Sequence, residues 1–271
     1  MHRNANRLRL VVFGLVAAAS LAVATVAADD RLDANGGAIT IRPLAHSSVE
    51  IEHAGKVIQV DPWSRVRIDT AKPADLILIT DADAGGHHLD AAAITKVRKT
   101  GAPVVMPASG KEKVPDGIVL ANGDRRDVAG ISIEAIAAYD LIPGDPFHAK
   151  GVANGYLITL GGKRILLAGV TECVPEIRAL KNVDVAFVPM NLPHGRMTPT
   201  AVADCLRALR PAIAYPYHFD QGYIGRLSGR GAQPQPGQPT ANDTVKQLAE
   251  SVKADKIDVR LGDWYPLPGA F

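Results

Sequence analysis

Cysteine is scarce in this chain, long apolar runs are nearly absent, and charge of either sign is almost balanced. The two cysteines, Cys173 and Cys205, are too few to be a disulfide framework for a domain of this size. One bridge and two free buried thiols are both open readings. The only extended apolar stretch is Leu10–Ala24, too short to cross a bilayer comfortably, and no later stretch approaches the roughly 20 apolar residues that a membrane helix needs. No Ser nucleophile elbow, Gly-rich phosphate loop or Cys/His pair occurs, so none of the usual metal-free routes to hydrolysis is written in the chain.

The first 28 residues read as a segment apart. Arg3, Arg7 and Arg9 precede the apolar stretch, and Val26-Ala27-Ala28 supplies small residues before Asp29. That is the pattern of a secretory signal, and it implies a periplasmic or secreted protein. The net charge of +2 falls to −1 once these three arginines, unaccompanied by any acid, are set aside. No basic field then remains to attract nucleic acid, and no Lys/Arg run suits a membrane surface. The other 243 residues, 29–271, suffice for one large α/β domain.

Within that domain the pattern repeats. Strands are expected at 38–42, 49–53 and 56–60, the last two joined at Ala54-Gly55, and then at 76–80, 104–106 and 131–137. A helix is expected from Asp90 as N-cap to about Lys99. In the second half, strands at 156–160 and 164–168 flank Gly161-Gly162, and a buried strand covers 183–189. A helix capped by Thr198-Pro199 then leads to a strand at 213–217. An exposed Gly/Pro/Gln-rich loop is expected at 227–241, a helix at 242–253 and a closing strand at 257–261. Two similar halves, each of hairpin strands, a strand ending in polar residues and a helix, permit two mixed sheets packed face to face with helices outside.

Chemistry gathers where the 76–80 strand ends. The stretch Thr80-Asp81-Ala82-Asp83-Ala84-Gly85-Gly86-His87-His88-Leu89-Asp90 places carboxylates and imidazoles at the point where α/β proteins put their sites. Alone it is equally the composition of a solvated strand-to-helix turn.

Together with "VEIEHAGKVIQVDPW", "GVANGYLITLGGKRILLAGVTE", "VDVAFVPMNLPHGRMTP" and "YPYHF", this stretch resembles the metallo-β-lactamase superfamily. The branch most similar is that of L-ascorbate-6-phosphate lactonase, and the likeness covers nearly all of the chain after the export segment. It implies an αββα four-layer sandwich with a metal site at one sheet edge. The family's motif, H-x-H-x-D-H, is altered here: the leading His-x-His pair is gone, and Asp81, Asp83 and His87 stand around the retained His88. His148 and His218 fall at later ligand places. Val170 takes the place of the aspartate that bridges two metals, and a valine has no lone pair to offer.

The resemblance therefore implies at most one divalent ion, Zn²⁺, Mn²⁺ or Fe²⁺, with Asp81, Asp83, His87, His88, His148 and His218 as candidate ligands. Asp61 and His46 would support the ligands from behind, and His194 lies near the family's pocket loop. Two functions follow from different classes: an exported metal-dependent hydrolase of a small ester, lactone or phosphate-bearing substrate, or a catalytically silent member of the fold that binds a ligand or partner. Carboxylate for imidazole exchange neutralises an ion and weakens its acidifying effect on water.

Overall fold

The computed structural model describes residues 30–65, 68–82, 86–144, 147–222, 225 and 239–261. The expected export segment, Asp83, and the Gly/Pro/Gln-rich loop as far as residue 238 lie outside the described residues.

Two seven-stranded sheets carry the fold. The first takes its strands in chain order: β1 (Asp30–Leu32), β2 (Ile39–Ala45), β3 (Ser48–His53), β4 (Lys56–Val60), β5 (Leu76–Leu78), β6 (Val104–Met106) and β7 (Ile118–Val119). The second holds β8 (Arg125–Val128), β9 (Ile131–Ala138), β10 (Ala153–Leu160), β11 (Lys163–Leu167), β12 (Val185–Pro189), β13 (Ile213–Tyr217) and β14 (Asp258–Val259). Each sheet begins with antiparallel strands and continues with parallel ones, β1 to β4 then β4 to β7, and β8 to β11 then β11 to β14. The duplicated pattern of the sequence is thus a duplicated topology. Helices α1 (Ala91–Val97), α2 (Pro175–Arg178), α3 (Pro199–Leu209) and α4 (Ala241–Val252) supply the crossovers and connections of the parallel portions.

Side-chain alternation decides which way each strand faces. Leu76 and Leu78 enter the large core between the sheets, with Ile41, Ile51, Ile58, Ile133, Tyr156 and Leu167. Ile77 and Ile79, one residue out of step, enter a second cluster with Ile94, Val97, Val104 and Met106 beneath α1. A strand buried on both faces must read as a continuous apolar run, and β5 does.

Polar contacts tie the layers together near the ends of β5 and β10. The Tyr156 hydroxyl donates to the Ile79 carbonyl at 2.7 Å, and the Asn154 amide donates to the Thr80 carbonyl at 2.8 Å. Gly155 is required here because a Cβ would sit 2.6 Å from the Ala168 carbonyl oxygen. The Gly161-Gly162 turn has positive φ at both residues, 52° and 81°, as a two-residue hairpin turn demands.

The helix signals hold. Asp90 caps α1 by accepting from the Ala93 amide at 3.0 Å, Thr198 caps α3, and Thr240 with Asp243 forms a capping box on α4. The expected 76–80 strand stops at Leu78 because Thr80 turns its amide to the Asp61 carboxylate. Sequence reading left β1, β7, β8 and α2 unassigned: they are two to four residues long, and β8 is the charged run Arg125-Arg126-Asp127-Val128. Of the two readings of the cysteines, the structure has the bridge. Cys173 and Cys205 are joined across 32 residues with Cα atoms 5.7 Å apart, linking the segment before α2 to α3.

Candidate metal centre

Four separate chain segments bring their ends to one edge of the sandwich. His46 and Ser47 form the two-residue turn between β2 and β3, Asp61 follows β4, His87 and His88 precede α1, and His218 follows β13. His46, Asp61 and His218 all take left-handed backbone conformations, with φ of 55°, 41° and 52°. Such conformations are uncommon outside glycine and cost on the order of 1 kcal/mol or more each, so surrounding contacts must impose them. One of these contacts joins the sheets directly, the His218 amide donating to the His46 carbonyl at 2.9 Å.

The four imidazoles converge. One nitrogen from each of His46, His87, His88 and His218 lies within 4.8 Å of the corresponding nitrogen of every other. The His88 and His218 rings stack at 5.1 Å with their Nε2 atoms 3.2 Å apart, and the His46 and His218 rings lie 3.6 Å apart by centroid. His46, His88 and His218 are buried and His87 is half-buried.

Carboxylates fix two of the rings from behind. His88 Nδ1 faces Asp61 Oδ2 at 2.7 Å, and His46 Nδ1 faces Asp220 Oδ1 at 2.6 Å. A carboxylate accepts and does not donate, so each Nδ1 carries a proton and each Nε2 is turned to the other side of the ring, away from its carboxylate. Asp61 is itself held by the Thr80 amide at 2.7 Å and the Thr80 hydroxyl at 2.5 Å. For His218, burial first and then the charges of His46, His88 and His87 push the pKa well below the usual imidazole value, so the ring is neutral. The Gln221 side-chain amide meets its Nδ1 at 2.5 Å. An amide can present either its nitrogen or its oxygen, so this contact serves either tautomer of His218.

This donor set fits a metal ion. Imidazoles with a protonated Nδ1 and a carboxylate behind it are the usual arrangement of metal-binding histidines. Two nitrogens bound to one zinc at about 2.0–2.1 Å in a tetrahedral shell stand roughly 3.3 Å apart, close to the 3.2 Å between His88 and His218.

Asp81, His148, Val170 and His194, also named from the sequence, stand outside the group of four imidazoles. Asp81 and His148 do not join the four imidazoles but face one another, His148 Nε2 being 3.3 Å from Asp81 Oδ2. On its other side His148 Nδ1 is 3.3 Å from Asp140, whose carboxylate also binds the Arg196 guanidinium. Burial opposes charge on His148, but Asp81 and Asp140 outweigh it and raise its pKa. Burial likewise works to raise Asp81, but His148 and the charge of His88 hold it below the ordinary carboxylate value. Val170 packs into the core between the sheets. His194 is exposed and stacks on Phe147 at 5.1 Å. His46, read from the sequence only as support, stands among the clustered nitrogens, and Asp220 and Gln221 were not singled out at all. Their one sequence signal is position, two and three residues after His218.

Comparison with known proteins agrees with this architecture. Residues 40–218 match the family model described as a beta-lactamase superfamily domain. A protein of Symbiobacterium thermophilum described as a metal-dependent hydrolase is 28% identical over 218 residues, covering 71% of this chain and 93% of its own length. One of Aeropyrum pernix, described likewise, is 27% identical over 197 residues, 65% of this chain and 80% of its own. Among solved structures, a protein of Parabacteroides distasonis assigned as a metal-dependent hydrolase superposes with a TM-score of 0.73 at 33% identity, covering 88% of this chain and all of that one. The metallo-β-lactamase fold protein YhfI of Bacillus subtilis, at 13% identity and a TM-score of 0.58, covers 86% of this chain and 94% of its own and shares the fold.

Proposed function

Because this chain belongs to the metallo-β-lactamase superfamily, we propose that it is an exported, metal-dependent hydrolase. It works with one divalent ion on a small ester, lactone or phosphate-bearing substrate. The observation that carries this reading is the pairing of His88 and His218, at two of the superfamily's ligand places, with Nε2 atoms 3.2 Å apart at the sheet edge. An ion held there would act as a Lewis acid toward a carbonyl or phosphoryl oxygen and toward water.

The chain's own residues then have definite tasks. Asp61 holds His88 in one tautomer, Thr80 holds Asp61, and Gln221 orients His218. His148, its pKa raised by Asp81 and Asp140 against the effect of burial, pairs with Asp81, whose carboxylate also feels the charge of His88. Val170 offers no donor, which supports a single ion. Export is supported by the Cys173–Cys205 bridge, a bond that persists in oxidising compartments.

One observation favours a second reading, a catalytically silent ligand-binding protein. Asp81, at the place of a lost histidine, is engaged by His148, and Val170 is committed to the core. Metal content read together with chelator-sensitive hydrolysis separates the two. The hydrolase reading expects about one tightly held ion per purified chain and hydrolysis of a lactone, aryl ester or phosphomonoester panel that a chelator abolishes. It expects no useful turnover of β-lactams, because the His-x-His pair and the bridging aspartate of the lactamases' dinuclear centre are replaced in this sequence. A bound ion with no hydrolysis anywhere in the panel would favour the silent reading.

A further inference from the structure

His46 does not belong to any altered position of the H-x-H-x-D-H stretch; it comes from the turn between β2 and β3, 35 residues before Asp81. Yet its ring lies 3.6 Å from that of His218 and 4.9 Å from that of His87 by centroid. Asp220 fixes its Nδ1 as the protonated nitrogen. Among the described residues, three carboxylates of the region are held one step away from the cluster: Asp61 behind His88, Asp220 behind His46, and Asp81 against His148.

Resting on the single-ion reading above, we infer that His46 is a metal ligand, and that its entry gives an all-imidazole protein shell selecting Zn²⁺ over Mn²⁺ and Mg²⁺. Neutral nitrogen donors suit late first-row ions, whereas Mn²⁺ and Mg²⁺ favour carboxylate, carbonyl and water oxygens. At fixed nitrogen ligands the order of affinity rises from Mn²⁺ through Co²⁺ toward Cu²⁺ and Zn²⁺. The lost His-x-His pair is thereby compensated by a residue from a different hairpin. His46 can serve because its left-handed φ of 55° turns the hairpin inside two residues.

The test uses the full exported chain, stripped of metal and titrated separately with Zn²⁺, Mn²⁺ and Mg²⁺ against a chromophoric chelator. Co²⁺ absorption in the visible range reports the ligand set. His46→Asn removes the imidazole while asparagine tolerates the left-handed turn, and Asp220→Asn weakens the support behind His46. Zn²⁺ is expected to bind at least about 100-fold more tightly than Mn²⁺. Asp220→Asn is expected to weaken Zn²⁺ by roughly 10- to 100-fold, and His46→Asn to weaken it further and to change the Co²⁺ spectrum. Equal binding of Mn²⁺ and Zn²⁺, or a Co²⁺ spectrum and Zn²⁺ affinity unchanged in His46→Asn, overturns the inference and leaves the hydrolase reading standing. No binding of any ion by the unmodified chain overturns both.

Discussion

Asp61→Asn is the substitution whose consequences the structure states most fully. The Asp61 carboxylate is fully buried and accepts three hydrogen bonds, from the Thr80 amide, the Thr80 hydroxyl and His88 Nδ1. Asparagine keeps the shape and one acceptor but turns an NH₂ toward the side that receives the hydroxyl and the imidazole. The hydroxyl can rotate to accept, and His88 must move its proton to Nε2 to do the same. Each contact then falls from a charge-assisted bond, worth about 1.5–3 kcal/mol, to a neutral one of about 0.5–1.5 kcal/mol. Over three bonds, with partial relief from burying an amide in place of a charge, the net loss is about 2–3 kcal/mol. For a domain of this size each kcal/mol lowers Tm by about 2–4 °C, so calorimetry on the metal-stripped protein should show a fall of roughly 5–10 °C. The moved proton also occupies the nitrogen that faces the other imidazoles, so Zn²⁺ affinity should fall by about 10- to 100-fold. A Tm within about 1 °C of the parent together with unchanged Zn²⁺ affinity would refute both the tautomer assignment and the role given to Asp61.

Three further expectations concern stability. The His148–Asp81 pair should contribute fully only between the unfolded pKa values of its members, 3.8 for Asp81 and 6.5 for His148. The raised His148 loses its contribution as pH climbs through its folded value, and the lowered Asp81 loses its own as pH falls through its folded value. A double-mutant cycle with Asp81→Asn and His148→Gln, read by thermal melts, should therefore show a coupling that vanishes in alkaline buffer; a coupling independent of pH would count against the pair. Opening the Cys173–Cys205 bridge by a double serine substitution should cost about 3–4 kcal/mol on loop-closure grounds for a separation of 32 residues, measured by urea denaturation, and a loss below about 1 kcal/mol would contradict it. Glu50→Ala should cost about 3–5 kcal/mol, because it strands Arg42, the Gln59 amide and the Lys72 backbone N–H around a buried carboxylate's place; a melt unchanged by this substitution would show that the network adds nothing.

Much of the fold is legible in the sequence because its signals are local. Asp90, Thr198 and Thr240 announce their helices through contacts made within three residues, and Gly161-Gly162 announces its hairpin by the backbone angles that only such residues adopt readily. Short polar strands such as Arg125–Val128 are invisible because they exist only by pairing with β9. The centre is partly legible for the same reason. His88 and His218 stand in motifs, but His46 is brought in by the hairpin register of β2 and β3, and Asp220 gains its role only when β13 sets it opposite that hairpin. Asp81 and His148 share the chemistry of ligands, and nothing in linear order says that they face one another.

The hydrogen bond from the His218 amide to the His46 carbonyl has a consequence for assembly during folding. His46, His87 and His88 belong to the amino-terminal half and His218 to the carboxy-terminal half, so neither half by itself contains the full set of nitrogens. The centre comes into being only when the two sheets dock, a contact of large sequence separation and therefore among the later ones to be closed on loop-entropy grounds. A metal signal during refolding would for that reason time the docking of the halves, and two co-expressed fragments divided at the exposed turn before β8 would report their reunion by regaining it.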